Sequence, residues 1–176
     1  MKTRNLMFTI FILANTICYS QIDSLFSYNI NGLSSVYGVM DYTDVPQSTL
    51  YNKTINWVKN TFKNPDKVIK MTIENKSIRI QIYDDGSICG KHGCAKELYT
   101  VQFEFRKDKI KITPIEIIGT YDNYIIDLNN GELYYKSNGN IRPFFSHVPK
   151  GIGKLINDYN ISLNNFITSE KDENEW

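Results

Sequence analysis

The residues best suited to chemistry lie in one short segment, Cys89-Gly-Lys-His92-Gly-Cys94. Two thiols this close can form a disulfide, which is the expected state of Cys89 and Cys94 in an oxidising compartment. A redox role is less well supported, because four residues separate the cysteines instead of the usual two. Metal binding with His92 would need reduced thiols and a fourth ligand. We therefore predict a structural disulfide and neither a metal site nor a cofactor.

The other candidate groups have simpler interpretations. His92 and His147 are the only histidines, and neither accompanies a nucleophile or metalloprotease motif. The pair Asp84-Asp85 precedes a glycine, which is typical of a turn. Trp57 could be a ligand platform, but on an amphipathic helix it is expected to pack at the edge of the apolar stripe. No catalytic residue is predicted.

The N-terminus predicts export. A basic start precedes the apolar run 6–14, which is too short to span a bilayer, and a small residue, Ser20, follows. This layout is typical of a cleaved signal peptide over 1–20, with cleavage between Ser20 and Gln21. Lipidation of Cys18 is the alternative, but that chemistry prefers a small residue before the cysteine, and Ile17 stands there.

Signal removal changes the thiol and charge balance of the chain. It takes away Cys18, so an even pair of cysteines remains. It also takes away Lys2 and Arg4, which moves the formal net charge from +1 to −1. A near-neutral chain has no overall electrostatic preference for nucleic acid, and no later segment is long and apolar enough to cross a membrane.

The mature chain begins its regular structure with a strand and a helix. Val36 to Thr43 alternates in the manner of a strand. Ser48 is a candidate N-cap for a helix whose apolar stripe runs along Tyr51, Ile55, Val58 and Phe62. Leu50, Thr54 and Trp57 flank that line. Asn64-Pro65 ends the helix.

Two hairpins and a second helix follow. Strands over 68–74 and 78–83 meet at the turn Asn75-Lys76, and a strand over 99–105 turns at 107–109 into a partner over 110–117. At Pro114 the alternation of apolar and polar residues shifts by one position, which indicates a β-bulge or an edge strand. After this shift, Ile115 and Ile117 are the residues predicted to be buried. A third hairpin is predicted around Asn129-Asn130-Gly131, and a helix over 152–167.

This order, β-α-β-β-β-β-α, predicts a single α+β domain over 21–168, with a curved antiparallel sheet and helices packed on one face. Hydrophobic residues make up 41% of the chain, which is enough for one core. The segment 169–176 is expected to be an acidic, flexible tail.

The segment from Val45 to Phe62, with Tyr51, Trp57 and Phe62 at spacings of six and five, resembles a family of secreted bacterial domains of unknown function with a TATA-binding-protein-like fold. The resemblance continues through the hairpin over 66–82 and the strand pair 99–117, and covers about 33–118. It implies a curved antiparallel sheet with helices on one side. It implies no activity, because the family has none assigned.

These observations favour an exported, periplasmic or secreted protein that acts as a non-catalytic binding or envelope-associated module. The expected surface is the open sheet face, including Arg79, Gln81, Thr100, Gln102 and Glu104, with an envelope protein or a small ligand as its partner. The alternative is an enzyme whose site is formed by the 84–96 loop and the 119–148 segment.

Overall fold

The structure is a computed structural model that describes residues 25–91, 93–120 and 124–169. The predicted signal 1–20, its cleavage site at Ser20 and Gln21, and all of the predicted tail except Ser169 lie outside the described residues. The same holds for His92.

The described chain contains ten strands, three α-helices and one short 3-10 helix. In chain order they are β1 (Tyr28–Asn29), β2 (Gly32–Leu33), β3 (Gly38–Asp41), α1 (Gln47–Thr61), α2 (Pro65–Val68), β4 (Ile69–Ile73), β5 (Ser77–Asp84), β6 (Cys89–Gly90), β7 (Gly93–Cys94), β8 (Glu97–Arg106), β9 (Lys109–Gly119), β10 (Ile125–Ile126), a 3-10 helix (Pro143–Phe145) and α3 (Val148–Ser169).

One antiparallel sheet organises the domain. Its strands lie in the order β10-β9-β8-β5-β4, and β3 pairs with the other end of β9. Side chains alternate between the two faces of each strand. One face carries the buried side chains of β5, β8 and β9, and α1 and α3 cover it. The predicted α+β domain with helices on one face of an antiparallel sheet is confirmed.

The parity slip at Pro114 is a β-bulge. Thr100 pairs with Glu116 and Val101 with Pro114, so Ile115 is the extra residue between them. Ile117 is buried as predicted, but Ile115 is 44% exposed, so that part of the prediction is wrong. The bulge turns Ile115 away from the core. Among the described strands, β3 pairs with residues 109–112 of β9 and β10 with residues 117–118. Pro114 lies between these two stretches, where no neighbouring strand on that edge needs an N–H donor.

Helix α1 is where expected, but two of its details differ. It begins at Gln47 after Pro46, so Ser48 lies inside the first turn and the predicted N-cap is wrong. The buried residues are Leu50, Thr54, Trp57 and Val58, so the predicted stripe supplies only Val58, and the three residues expected to flank it are buried as well. Trp57 is therefore a central core residue.

Trp57 connects the two covering helices to the sheet. Its ring meets Phe103 of β8 edge-on, with ring centroids 6.1 Å apart, and meets Phe62 at 5.7 Å. Its indole Nε1 donates a hydrogen bond to Ser162 Oγ of α3 at 3.1 Å. The packing interpretation of Trp57 is confirmed.

The predicted hairpin around Asn129-Asn130-Gly131 is wrong. Instead, β10 pairs with the end of β9, and the following segment wraps around Tyr28, whose hydroxyl donates to the carbonyl oxygens of Asp127 and Asn130. The strand partner of Ile125 and Ile126 is thus the end of β9, and not the segment that follows Gly131. The predicted C-terminal helix is confirmed as α3.

No helix in the described parts of the chain combines the length and hydropathy needed to cross a membrane.

We expect Trp57→Ala to lower the free energy of unfolding by about 3–5 kcal/mol, because it opens a cavity at the helix–sheet junction. Trp57→Phe keeps an aromatic ring but loses the bond to Ser162, so its cost should be about 1–2 kcal/mol. Urea denaturation measures both, with the exposed Lys59→Ala as the control. A cost for Trp57→Ala equal to that of Lys59→Ala would contradict this packing.

Candidate functional site

The face of the sheet that no helix covers carries an ordered set of polar side chains. Arg79 pairs across the strands with Gln102, and its Nη2 donates to Gln102 Oε1 at 2.6 Å. Beside them, Gln81 Nε2 donates to Thr100 Oγ1 at 3.2 Å. Glu104 lies on the same face, opposite Ser77. All five residues predicted for the open face therefore lie on it.

Several large apolar side chains on this face remain accessible, including Tyr37, Ile73 and Tyr83. Tyr37 is 50% exposed, Ile73 48% and Tyr83 52%. Tyr83 lies on the same face as Arg79 and Gln81, because all three occupy alternate positions of β5. Ile73 also lies on this face, because it pairs with Ser77 of β5. The face therefore combines polar groups of fixed orientation with exposed hydrophobic surface.

A depression of about 660 Å³ lies at the end of this face near the β8–β9 turn. We call it the basic depression, because four of its lining residues are cationic and one is anionic. It is lined by Tyr37, Val39, Ile73, Lys76, Ser77, Glu104, Phe105, Arg106, Lys109 and Lys111. It reaches from β3 across β9, β8 and β5 to β4.

The cations of the basic depression differ in their partners. Lys111 Nζ lies 2.6 Å from Glu104 Oε2 and 5.1 Å from the centre of the Tyr37 ring. Lys109 Nζ lies 2.8 Å from Asp41 Oδ1, a contact that raises the pKa of the lysine. Within the described residues, neither Lys76 nor Arg106 forms an ion pair.

A second polar cluster lies beneath the helices, at the opposite end of the sheet. Asp84, the last residue of β5, pairs with Glu97, the first residue of β8. Asp84 Oδ2 accepts the backbone N–H groups of Gly86 and Ser87, which confirms the turn interpretation of Asp84-Asp85. Asp84 Oδ1 also accepts hydroxyl hydrogen bonds from Ser87 at 3.1 Å and from Tyr159 of α3 at 3.4 Å. This carboxylate thus fixes the loop to the helix.

Glu97 is the most unusual titratable residue of the cluster. Its side chain is fully buried, and within the described residues its Oε2 has no hydrogen-bond partner. Burial, and secondarily the negative charge of Asp84, raise the pKa of Glu97 to about 7. A hydrogen bond from the Tyr124 hydroxyl to Glu97 Oε1, at 3.4 Å, acts in the opposite direction. Glu97 can therefore change its charge near neutral pH.

Glycine allows Tyr124 to reach Glu97. A Cβ on Gly119, the residue paired with Glu97, would lie only 1.9 Å from the Tyr124 ring. Any larger side chain would displace that ring. The ring of Tyr124 thus lies against Gly119 at the end of β9, and its hydroxyl reaches the carboxyl group.

The cysteine segment forms a small hairpin next to this cluster. Cys89 pairs with Cys94 across β6 and β7, and the two are joined in a disulfide, as the compartment argument predicted. His147 lies against this hairpin, because a Cβ on Gly90 would be 2.8 Å from its Cε1. Since His92 lies outside the described residues, the structure does not place it. Among the described residues, no three His, Cys, Asp or Glu side chains are grouped to hold a metal ion.

The structure brings together the two segments that the enzyme alternative requires. The 84–96 loop meets His147 at Gly90, and Glu97, just after the loop, meets Tyr124. Neither Glu97 nor Tyr159 was among the residues predicted for a functional site. The sequence did contain one indication of Glu97. It is a carboxylate directly before the alternating apolar residues of β8, at a position whose side chain is expected to face the core.

Comparison with solved structures shows the fold. A TBP-like protein from Parabacteroides distasonis matches with a TM-score of 0.54 and 11% identity, over 77% of this chain and 92% of that one. A DUF4468 family protein from Bacteroides ovatus matches with a TM-score of 0.52 and 10% identity, over 78% and 86%. The expected likeness to TBP-like domains of unknown function is confirmed at the level of the fold. No protein-family profile and no curated protein matches the chain.

Glu97 gives the domain a predicted pH dependence. Because folding raises its pKa from about 4.5 to about 7, the folded state binds a proton that the unfolded state releases between these values. Wild-type stability should therefore fall by about 2 kcal/mol as the pH rises from 5 to 8. Glu97→Gln, which stays neutral, should lose much less over this range. Urea unfolding at a series of pH values measures both.

Glu74→Gln is the matched control, because Glu74 is an exposed carboxylate in the β4–β5 turn. It should keep the wild-type pH profile. If Glu97→Gln keeps that profile too, Glu97 is not the titrating group.

Proposed function

We propose that the chain is an exported, non-catalytic binding module of the bacterial envelope or exterior, and that it binds its partner through the open sheet face. The observation that carries this proposal is a broad strand surface that α1 and α3 leave uncovered. Tyr37, Ile73 and Tyr83 expose hydrophobic area on it. Apolar groups exposed together on one face are typical of interaction surfaces.

The arrangement of the polar groups supports binding. The Arg79–Gln102 and Gln81–Thr100 pairs hold four side chains in defined orientations on adjacent strands. A surface fixed in this way loses little conformational entropy when a partner binds. The chemistry of these side chains is recognition by hydrogen bonds and charge.

Export is part of the same proposal and rests on the sequence 1–20 with cleavage between Ser20 and Gln21. A disulfide between Cys89 and Cys94 fits an oxidising compartment. Protein recovered from the periplasm or medium should have the intact mass of a chain that begins at Gln21. An uncleaved mass would contradict the proposed signal.

The binding surface can be tested by comparative capture from an envelope extract. We expect the chain beginning at Gln21 to retain a partner that the double variant Ile73→Ser/Tyr83→Ser fails to retain, because the variant removes hydrophobic area from the open face. Leu133→Ser/Phe144→Ser is the matched control. It removes two side chains that are also exposed, 64% and 79%, but that lie outside the sheet.

Quantitative mass spectrometry of the captured proteins gives the readout. A protein retained by the wild type and the control, and depleted about tenfold or more by the sheet variant, supports the proposal. Equal retention by all three proteins, or selective loss with the control, would exclude the open face as the binding surface.

A catalytic role for the Glu97 cluster is the second candidate. It is favoured by a buried carboxyl group with a pKa near 7, beside Asp84 and three hydroxyl groups. We rank it second because Glu97 is completely buried, so a substrate could reach it only after a conformational change.

Carboxyl labelling with a carbodiimide and glycine ethyl ester tests this candidate. A catalytic Glu97 must be exposed during an opening motion and should become labelled within the time that labels Glu132, an exposed carboxylate of the same region. Complete protection of Glu97 in the folded protein, with labelling only after denaturation, would rule out catalysis there.

A further inference from the structure

We propose that the partner of the open sheet face is an acidic peptide segment with interspersed apolar side chains, held in the basic depression. This inference rests on the proposed function, because it assigns the chemistry of the partner to the same face. It adds what the fold and the family likeness leave open, namely which kind of molecule binds.

Local charge gives the first argument. The mature chain is close to neutral, yet Lys76, Arg106, Lys109 and Lys111 all line this one depression, with Glu104 as the single carboxylate among the lining residues. A concentration of cations in a shallow site raises the local concentration of anionic partners. Charge complementarity therefore favours a negatively charged ligand.

The partners of these cations indicate where the ligand charges would lie. Glu104 and Asp41 already neutralise Lys111 and Lys109. Lys76 lies in the turn directly before β5 and Arg106 ends the neighbouring strand β8, and within the described residues neither forms an ion pair with a carboxylate. Arg106 can also bind a carboxylate through two parallel hydrogen bonds. These two residues are the predicted anchors for the ligand carboxylates.

The apolar lining selects among anionic ligands. Val39 and Ile73 offer aliphatic surface between the cations, and Tyr37 is half exposed beside Lys111. Aliphatic surface suits Leu, Ile or Val side chains, whereas a polyuronate offers mainly hydroxyl groups. A nucleic acid would require aromatic stacking platforms, and the Lys111 ammonium already occupies one face of the Tyr37 ring. A peptide supplies both carboxylates and aliphatic groups.

The sheet edge adds a contact that only a peptide can use fully. Ile73 ends β4, which is the outermost strand on that side of the described sheet. Among the described strands β4 pairs only with β5, so its other edge is where an extended peptide would add as a further strand. A peptide in the depression can therefore continue along β4.

The test is a fluorescence-anisotropy titration of the chain beginning at Gln21 with labelled twelve-residue peptides. The probe is an alternating Glu-Leu peptide. A Gln-Leu peptide of the same length removes the charge, and a Glu-Ser peptide removes the aliphatic groups. Polygalacturonate and a twelve-nucleotide single-stranded DNA serve as the other anionic ligands. Titrations at low and at physiological ionic strength measure the electrostatic part.

Two double variants locate the site. Lys76→Gln/Arg106→Gln removes the unpaired cations of the depression. The matched control Lys59→Gln/Lys63→Gln removes the same charge at the solvent-exposed C-terminal end of α1, on the other side of the sheet. We expect the first variant to weaken Glu-Leu binding about tenfold and the control to change it less than about twofold. Thermal unfolding confirms that both variants are folded.

Tighter binding of Glu-Leu than of the other four probes, lost with the depression variant alone, supports the proposal. Equal binding of Gln-Leu, tighter binding of polygalacturonate or DNA, no measurable peptide binding, or equal effects of the two variants would each overturn it. The capture experiment with Ile73→Ser/Tyr83→Ser uses no peptide probe, although Ile73 also lines the basic depression. A partner that still depends on the open face would then show that the surface is right and the acidic-peptide assignment wrong.

Discussion

The structure depends on a one-sided hydrophobic contact between the long β8–β9 hairpin and two helices. Tyr99, Val101, Phe103 and Phe105 alternate along β8 and are all buried. Because side chains alternate strictly, the same strand must present Leu98, Thr100, Gln102 and Glu104 on its other face. The described residues form two long helices, α1 and α3, and both lie on the apolar side. The open face is thus a direct consequence of how the core is covered.

This constraint also explains which parts of the fold could be predicted from the sequence. Apolar residues recur at every second position over the ten residues of β8 and at helical spacing in α3. Only a strand in the first case and a helix in the second can bury such residues on one side. Strand and helix identity followed from them. The errors arose where one turn or one residue decides the outcome. Ile115 is apolar and has the expected parity, but the bulge opposite Thr100 turns it outward, and only the pairing with β8 reveals this.

The failure around Asn129-Asn130-Gly131 has a different cause. The local signal for a hairpin is real, but Tyr28, about 100 residues earlier in the chain, offers its hydroxyl to the carbonyl groups there. A contact between such distant residues is absent from any local pattern. The open-face residues could be predicted because they depend on strand parity alone. The same parity indicates the position of Glu97, but it does not predict the raised pKa of that residue, which depends on burial and on Asp84 and Tyr124 lying next to it in space.

The two polar regions of the molecule differ in how their charges are accommodated, and this separates groups that stabilise the fold from groups that do not. At the Glu97 end, carboxylates lie under α3, where burial makes charge costly and hydrogen bonds fix the loop to the helix. At the basic depression, the cations lie in water on the uncovered face, where a salt bridge such as Lys111–Glu104 contributes little to folding. Side chains that folding does not require can change without loss of the sheet. A TM-score of 0.54 at 11% identity shows that the sheet and its covering helices persist when most side chains differ. The chemistry of the open face therefore belongs to this chain's own residues and has to be determined from them.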